Sequence, residues 1–421
     1  MEEKKKTYTE KLCVSTEEEF LQEARRRTPD LLKKNKIPGM AAICVHNGKV
    51  IWNESFGLAD KKNNIPVSNQ TVFELASISK TLTAWGVMKL VEQGIIELDE
   101  SVCKYMKRWQ FPEGEYDANK ITFRMLLNHI AGLSQNYYLG YKKHHKLPSL
   151  EEAISYGGNQ KDGVHIIYEP GTKLFYSGGG YLVLQLLIEE ITGKEFSTYM
   201  KEEILDPLGM KDSTFEWNPE WKNREAKGYG ILGGQMGKRF YVEKAAAGLY
   251  STPNDFAKFI CANVTGENGE PIGRGVLKPE TVALMTTRHF LNLRYSMGYI
   301  VIPVSRRKSV YMFRGANPGW FSQFAIFPES NSAIAFMTNS NAGNYLTLNL
   351  IQLYIQFLND STYNKLGKIF ENIKRNVVRD LVEEFNFEYM IFENHFKPID
   401  VMNDVSRTHS KQKGETKKLQ K

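Results

Sequence analysis

The chain has 421 residues, 42% hydrophobic and 24% charged, with a formal net charge of +7. That length has room for a large core and two structural units, and the composition is that of a globular protein rather than a disordered or fibrous one. Much of the basic excess sits in the polar ends, "MEEKKK" and "SRTHSKQKGETKKLQK", which read as solvated tails (1–14, and a basic disordered 403–421). With no zinc-finger or RNA-binding spacing, they indicate no nucleic-acid partner.

The cysteines Cys13, Cys44, Cys103 and Cys261 form no C-x-x-C pair, a pattern of free thiols in a reducing compartment. No apolar segment follows the N-terminal lysines, and no run reaches the roughly 18 apolar residues of a membrane span. The pattern predicts no membrane span and a cytoplasmic location.

In chain order, Ser15 and Thr16 followed by glutamates cap a predicted helix over 16–34. "MAAICVHNGKVIWNESFGLAD" reads as two strands joined by a tight turn at His46-Asn47-Gly48. "TVFELASISKTLTAWGVMKLVEQGIIELD" then reads as helical, its apolar stripe containing Leu82, Trp85, Met88, Leu90 and Val91 and its end marked by Gly94. Helical patterns dominate from about Asp99 to Tyr229, most clearly over 180–193, with a short helix over 196–210 stopped by Pro207. A helix is predicted to start near Pro253-Asn254-Asp255. Strands follow at "YSMGYIVIPV" and "SVYMFRG", then a hairpin over Pro328–Ser332, and a buried helix over 346–358.

Strands at both chain ends with helices between them predict an α+β fold: an antiparallel sheet flanked by terminal helices, with an inserted helical region. The expected division is 15–82 with 240–360 for the sheet unit and 83–239 for the insertion. Residues 361–402 form a helical extension whose amphipathic stretch, 362–385, must dock on the body or on a partner, including a second copy of the chain.

Ser77 and Lys80 stand three apart where the helical pattern begins, so they share one face. A serine hydroxyl becomes a nucleophile when a neighbour takes its proton, and a desolvated lysine can do that. The first turn of a helix also favours a developing anion. Ser79 lies about 100° away around the helix and is the poorer partner. Spacing alone is weak, because Ser-x-x-Lys recurs at Ser101/Lys104, Ser305/Lys308 and Ser410/Lys413. His144 and His145 lack a third ligand at zinc spacing, and no metal or other cofactor is predicted. "YSGGGY" lacks the Lys-Ser/Thr of a phosphate loop. His129 in "LLNHIAGL" is a candidate base, with a scaffold role implied instead by the match of that segment to the family named next.

"TVFELASISKTLTAWGVMKLVEQGIIELDESVCKYM", "ITFRMLLNHIAGLS", "EPGTKLFYSGGGYLVLQLLIEEITGKEFSTYMKEEILDPLGM" and "AAAGLYSTPNDFAKF" together resemble the serine β-lactamase-like superfamily. Its members include class C β-lactamases, penicillin-binding D-peptidases and related esterases and acyltransferases. The resemblance covers roughly 15–358 and implies the family's transpeptidase-like fold and an acyl-serine intermediate. It implies Ser77 as nucleophile with Lys80 and Tyr176 as its activating pair, and the backbone N–H groups of Ser77 and Ala316 as the oxyanion hole. It also implies a substrate-binding surface at Gly178, Phe313, Arg314 and Gly315. Two of the family's motifs are altered: Gly178 stands where a Tyr-x-Asn motif has asparagine, and Phe313 where the third motif has lysine or histidine. The substrate is then a small ester, amide or peptide-like molecule, with an efficient β-lactamase or carboxylate-reading peptidase disfavoured. A binding or scaffolding protein that kept the fold without turnover is the second reading. Substrate loops over 135–146 and 229–241 leave the acyl donor and acceptor unnamed.

Overall fold

The computed structural model describes residues 14–366 except 136–137, 143–145, 157–161, 289–294, 306–307, 361–362 and 364–365. The predicted amphipathic helix over 362–385 and both tails lie essentially outside the described residues.

Helix α1 (Glu17–Lys34) begins at a complete capping box. The Glu19 N–H donates to the Thr16 hydroxyl, and the Glu19 carboxylate accepts from the Thr16 N–H at 3.0 Å. Strands β1 (Gly39–His46) and β2 (Lys49–Asp60) follow as the expected hairpin. Asn47 and Gly48 both adopt left-handed backbone, φ 50° and 79°, which a two-residue turn matched to strand twist requires. β3 (Ile65–Pro66) is a short edge strand.

The next segment departs from the expected helix. Phe73–Ala76 forms β4, paired antiparallel with a strand much later in the chain, and only then does α2 (Ile78–Glu92) begin. Val72 and Phe73 suit an extended, fully buried backbone. Ala76, at φ 48°, supplies the bend between strand and helix.

The middle of the chain is less helical than expected: α3 (Phe123–Leu127), β5 (Tyr141–Lys142), α4 (Leu150–Tyr156), α5 (Gly178–Thr192), α6 (Phe196–Met200), β6 (Arg239–Phe240) and α7 (Lys244–Ala247) are joined by long turns and irregular stretches. β7 (Leu249–Ser251) is the partner of β4, and α8 (Pro253–Cys261) and α9 (Pro279–Thr286) follow.

The predicted single strand over 295–304 is instead a tight hairpin, β8 (Tyr295–Ser296) and β9 (Tyr299–Pro303). Gly298 turns it at φ 86°. β10 (Ser309–Asn317), β11 (Trp320–Phe327), β12 (Ser332–Thr338) and α10 (Gly343–Leu358) complete the described chain.

Eight strands form one antiparallel sheet in the order β3-β2-β1-β12-β11-β10-β9-β8. Early and late strands thus meet at β1 and β12, with Ala42 opposite Phe336. α1 packs with α10 and α8 also packs on these strands. β1, β11 and β12 are accordingly almost continuously buried and read as largely apolar runs, interrupted in β11 by the buried Ser322 and Gln323, as strands covered on both faces do. Among the described residues, no helix is long and apolar enough to cross a membrane.

α2 is anchored by buried polar contacts. The Trp85 indole N–H donates to the Tyr299 hydroxyl at 2.8 Å, which donates to Asn263 Oδ1 at 2.6 Å. Thr81 Oγ1 donates to the Gly298 carbonyl at 2.8 Å. Replacing Tyr299 by phenylalanine removes one group and leaves both partners buried and unpaired. Tyr299→Phe is expected to lower unfolding free energy by about 1–3 kcal/mol, read from the denaturant midpoint; an unchanged midpoint would remove this anchor from the account.

Candidate active site

Ser77 occupies the N-cap position of α2, directly after the left-handed Ala76. An L-residue in that conformation costs about 1–2 kcal/mol, so the turn persists because its surroundings hold it. Ser79 is part of that hold: its hydroxyl donates to the Ala76 carbonyl at 2.5 Å and accepts from the Leu249 N–H at 2.9 Å. Ser79 is therefore committed to the backbone, whereas Ser77 is half-buried and faces the lysine.

Lys80 is only 2% exposed. Its Nζ lies 3.2 Å from Ser77 Oγ and 2.7 Å from the Ala246 carbonyl. It also sits 5.0 Å from the centre of the Tyr176 ring and 5.7 Å from that of Tyr181, where a cation is attracted to ring faces. α7 is held in place to present its carbonyl: Ala245 N–H donates to Gln185 Oε1 at 3.1 Å, and Thr83 Oγ1 donates to the Ala245 carbonyl at 3.0 Å.

Tyr176 is half-buried in an aromatic cluster, its ring centre 4.5 Å from His129 and 5.6 Å from Tyr295. His129 takes the Ser177 N–H on Nδ1 at 3.1 Å. Its Nε2 is buried without a hydrogen-bond partner among the described residues. Burial, and then the positive charge of Lys80, hold the His129 pKa well below its ordinary value. Gly178 opens α5, where the Ser177 hydroxyl caps by accepting from the Gly180 N–H at 2.9 Å.

β10 runs beside this turn. Gly315 approaches so closely that a Cβ on it would lie 2.7 Å from the Ser77 backbone nitrogen. Strand alternation puts Phe313, Gly315 and Asn317 on the face toward β4 and Arg314 and Ala316 on the other. Phe313 is buried against Tyr295, with ring centres 6.2 Å apart. The pairing of β10 with β11 is continuous from Tyr311 to Asn317, so no bulge turns Arg314 toward Ser77. β9 pairs only with Ser309–Met312, leaving the edge of β10 beyond Met312 without a strand neighbour among the described residues. Ser77, Lys80, Tyr176, Phe313 and Gly315 are thus gathered around one turn; the Arg314 side chain belongs to the opposite face.

Three contributors were not singled out from the sequence. The Ala246 carbonyl is a backbone group and leaves no residue signal. Tyr295 lies in a run that alternates like any strand. Glu74, a carboxyl in the otherwise apolar "VFELA", carried a legible signal. It is 4% exposed and accepts from Asn317 Nδ2 at 3.0 Å, and the same amide reaches the Ala247 carbonyl at 3.2 Å. That clamp joins the strand before Ser77, the residue after Ala316 and the residue after Ala246. Among the described residues no three His, Cys, Asp or Glu side chains converge as a metal site.

Two outcomes follow from this geometry. Gly315→Ala must push β10 away from the turn, costing about 1–3 kcal/mol and reducing reaction of Ser77 with a serine-directed probe; unchanged stability and labelling would contradict the close approach. His129 binds its proton less readily folded than unfolded, so its contribution to stability is present above its ordinary value of 6.5 and is lost as pH falls through it. Glu74, pushed up to about 8, and Glu243, pushed up to about 7, both by burial, act in the opposite sense. His129→Gln is therefore expected to lose less stability than wild type between about pH 7 and about pH 5, measured by equilibrium denaturation. Parallel curves would remove the buried neutral imidazole.

The Beta-lactamase family model matches residues 24–352. Protein flp of Staphylococcus aureus (strain MW2) is 24% identical over 353 residues, covering 82% of this chain and 68% of that protein. Penicillin-binding protein 4* of Bacillus subtilis (strain 168) is 30% identical over 202 residues, covering 47% of this chain and 43% of that one. Among solved structures, the octameric penicillin-binding protein homologue from Pyrococcus abyssi superposes with a TM-score of 0.64 at 25% identity, covering 76% of this chain and 74% of that one. SurE superposes with a TM-score of 0.65 at 22% identity over 81% of this chain and 76% of that one, a likeness of fold. The matched family model, the fold and the order of the motifs agree: the chain belongs to the Beta-lactamase family, with its serine-hydrolase fold.

Proposed function

We propose that the chain is a serine hydrolase or acyltransferase that cleaves or transfers the acyl group of a small ester, amide or peptide-like substrate through an acyl-Ser77 intermediate. The observation that carries this reading is the buried Lys80 Nζ at 3.2 Å from Ser77 Oγ, at the start of a helix.

In the proposed reaction, Ser77 Oγ attacks the carbonyl carbon and its proton passes to Lys80, directly or through Tyr176. That transfer needs the amine neutral, or the phenol ionised, when substrate arrives. The carbonyl oxygen takes up negative charge between the N–H groups of Ser77 and Ala316. The proton then goes to the departing alcohol or amine as its bond to carbon breaks. Water, or a second alcohol or amine, attacks the acyl-Ser77 ester through the same base and frees the serine. Neither altered motif residue, Gly178 or Phe313, is required for these steps, because the oxyanion donors are backbone groups. Phe313 carries no charge for a substrate carboxylate at its position.

The same departures favour the second reading, a binding or scaffolding relative without turnover. Self-association through 362–385 would belong to either reading.

Hydrolysis of short-chain aryl esters separates the two. Ser77→Ala is expected to lower kcat/KM by at least about a thousandfold and Lys80→Met by about a hundredfold or more. Wild-type rates in Ser77→Ala would refute the acyl-serine reading. Wild-type protein that cleaves no ester while remaining folded would favour the silent relative.

A further inference from the structure

The register of the β10–β11 hairpin fixes the direction in which each backbone N–H of β10 points. Asn317 pairs with Trp320 across the two-residue turn Pro318-Gly319, where Gly319 takes φ 92°. A pair that closes so short a turn exchanges both of its N–H···O bonds, and bonded and non-bonded pairs alternate along an antiparallel ladder. Gly315 and Ser322 are therefore a bonded pair, whereas Ala316 and Phe321 are not. The Ala316 N–H points away from β11, toward the edge of β10 that β9 does not pair beyond Met312. Sharing an oxyanion with the Ser77 N–H then depends on how the end of this hairpin is held against the turn.

A few buried polar groups hold it. Asn317, 1% exposed, donates from Nδ2 to Glu74 Oε2 at 3.0 Å and to the Ala247 carbonyl at 3.2 Å. That carbonyl can only accept, so it fixes which end of the amide faces it. The Asn317 carbonyl accepts from Asn341 Nδ2 at 2.7 Å, and Asn341 Oδ1 takes the Gly319 N–H at 2.7 Å. On the other side of Ala316, Ser322 Oγ donates to the Leu75 carbonyl at 2.7 Å. The covalent paths from the Asn317–Glu74 bond to the two N–H donors are short: one residue back to Ala316, and three forward from Glu74 to Ser77. Ala247, in turn, follows the Ala246 whose carbonyl holds Lys80. One side-chain amide thus spans all three parts of the site. Glu74 itself is costly: a carboxyl 4% exposed stands among the apolar Val72, Phe73, Leu75 and Ala76, and burying such a group costs more than burying an apolar one. The bond does not depend on its charge, since the neutral and the ionised carboxyl both offer an oxygen that accepts from an amide N–H.

We propose that Asn317 and Glu74 are positioning residues for acyl transfer: their hydrogen bond sets the spacing between the Ser77 and Ala316 N–H groups, and the bond to Ala247 ties that spacing to the acceptor of Lys80. The catalytic consequence rests on the acyl-Ser77 reading above; the placement of the two strands does not. Such a pair acts on the transition state, in which the carbonyl oxygen carries charge, more than on the bound ester.

The test compares Glu74→Gln, which keeps an acceptor at the same reach, with Glu74→Met, which removes it, and with Asn317→Ala. With para-nitrophenyl butyrate, Glu74→Met and Asn317→Ala are each expected to lower kcat by about thirtyfold or more, toward the roughly hundredfold cost of a misplacement of about 1 Å, with KM changed by less than about threefold. Glu74→Gln should keep kcat within about threefold of wild type. The double variant should be no slower than Asn317→Ala alone, because both changes remove the same bond. Denaturant midpoints establish that the assayed proteins are folded. Folded Glu74→Met and Asn317→Ala with wild-type kcat would overturn the proposal, and so would a Glu74→Gln as slow as Glu74→Met. Hydrogen–deuterium exchange over 73–80 and 312–320 reads the placement without catalysis: it should be slow in wild type and Glu74→Gln and faster in Glu74→Met. Wild type that cleaves no ester yet shows this exchange pattern would overturn the hydrolase reading and keep the clamp. Active wild type, with equal exchange and equal kcat in every variant, would overturn the clamp and keep the hydrolase reading.

Discussion

The site depends on keeping the amine of Lys80 out of water. Removing a charged ammonium from solvent costs several kcal/mol unless its hydrogen bonds and charge are met, and the surrounding structure meets them from several directions. The Ala246 carbonyl and Ser77 Oγ accept from Nζ, and the rings of Tyr176 and Tyr181 offer their faces. None of these groups is near Lys80 by chance of sequence. Ala246 arrives on a four-residue helix, α7, pinned by Gln185 of α5 and Thr83 of α2. Tyr176 is wedged against His129, whose Nδ1 is committed to the Ser177 backbone. Helices α2, α5 and α7 are thereby fixed relative to one another by the same contacts that shelter the amine.

A second constraint is the turn that delivers Ser77. β4 must end and α2 must begin within two residues, and Ala76 accepts left-handed backbone to do it. The strain is contained by Ser79, by Gly315 pressing on the turn, and by the Glu74–Asn317 clamp. A turn held by so many neighbours presents its hydroxyl and its backbone N–H in a fixed direction, which is the preorganisation that acyl transfer asks for.

Much of this was legible in the chain, and what was not has identifiable causes. Thr16 and Glu19, Asn47-Gly48 and Gly94 act locally, through caps and turns, and the sequence reading placed α1, the first hairpin and α2's end from them. Ser77, Lys80 and Tyr176, which lie together at one turn, stand out in the chain because their motifs occur in order among long apolar helices. The expected helix over β4 fails because the partner of β4, β7, lies far along the chain; a lone four-residue segment cannot be told from the start of a helix by periodicity. The split of 295–304 hinges on Gly298 alone. The Ala246 carbonyl had no side chain to announce it. Tyr295 and Asn317 became site residues only through tertiary packing.

The central claim is that Ser77 is an activated nucleophile, and the most direct measurement is intact-protein mass after exposure to a fluorophosphonate probe, with the modified peptide mapped. The account predicts a single adduct on wild-type protein, located at Ser77 and absent from Ser77→Ala. Well-folded wild-type protein that gains no adduct, or gains one at another residue, would contradict it.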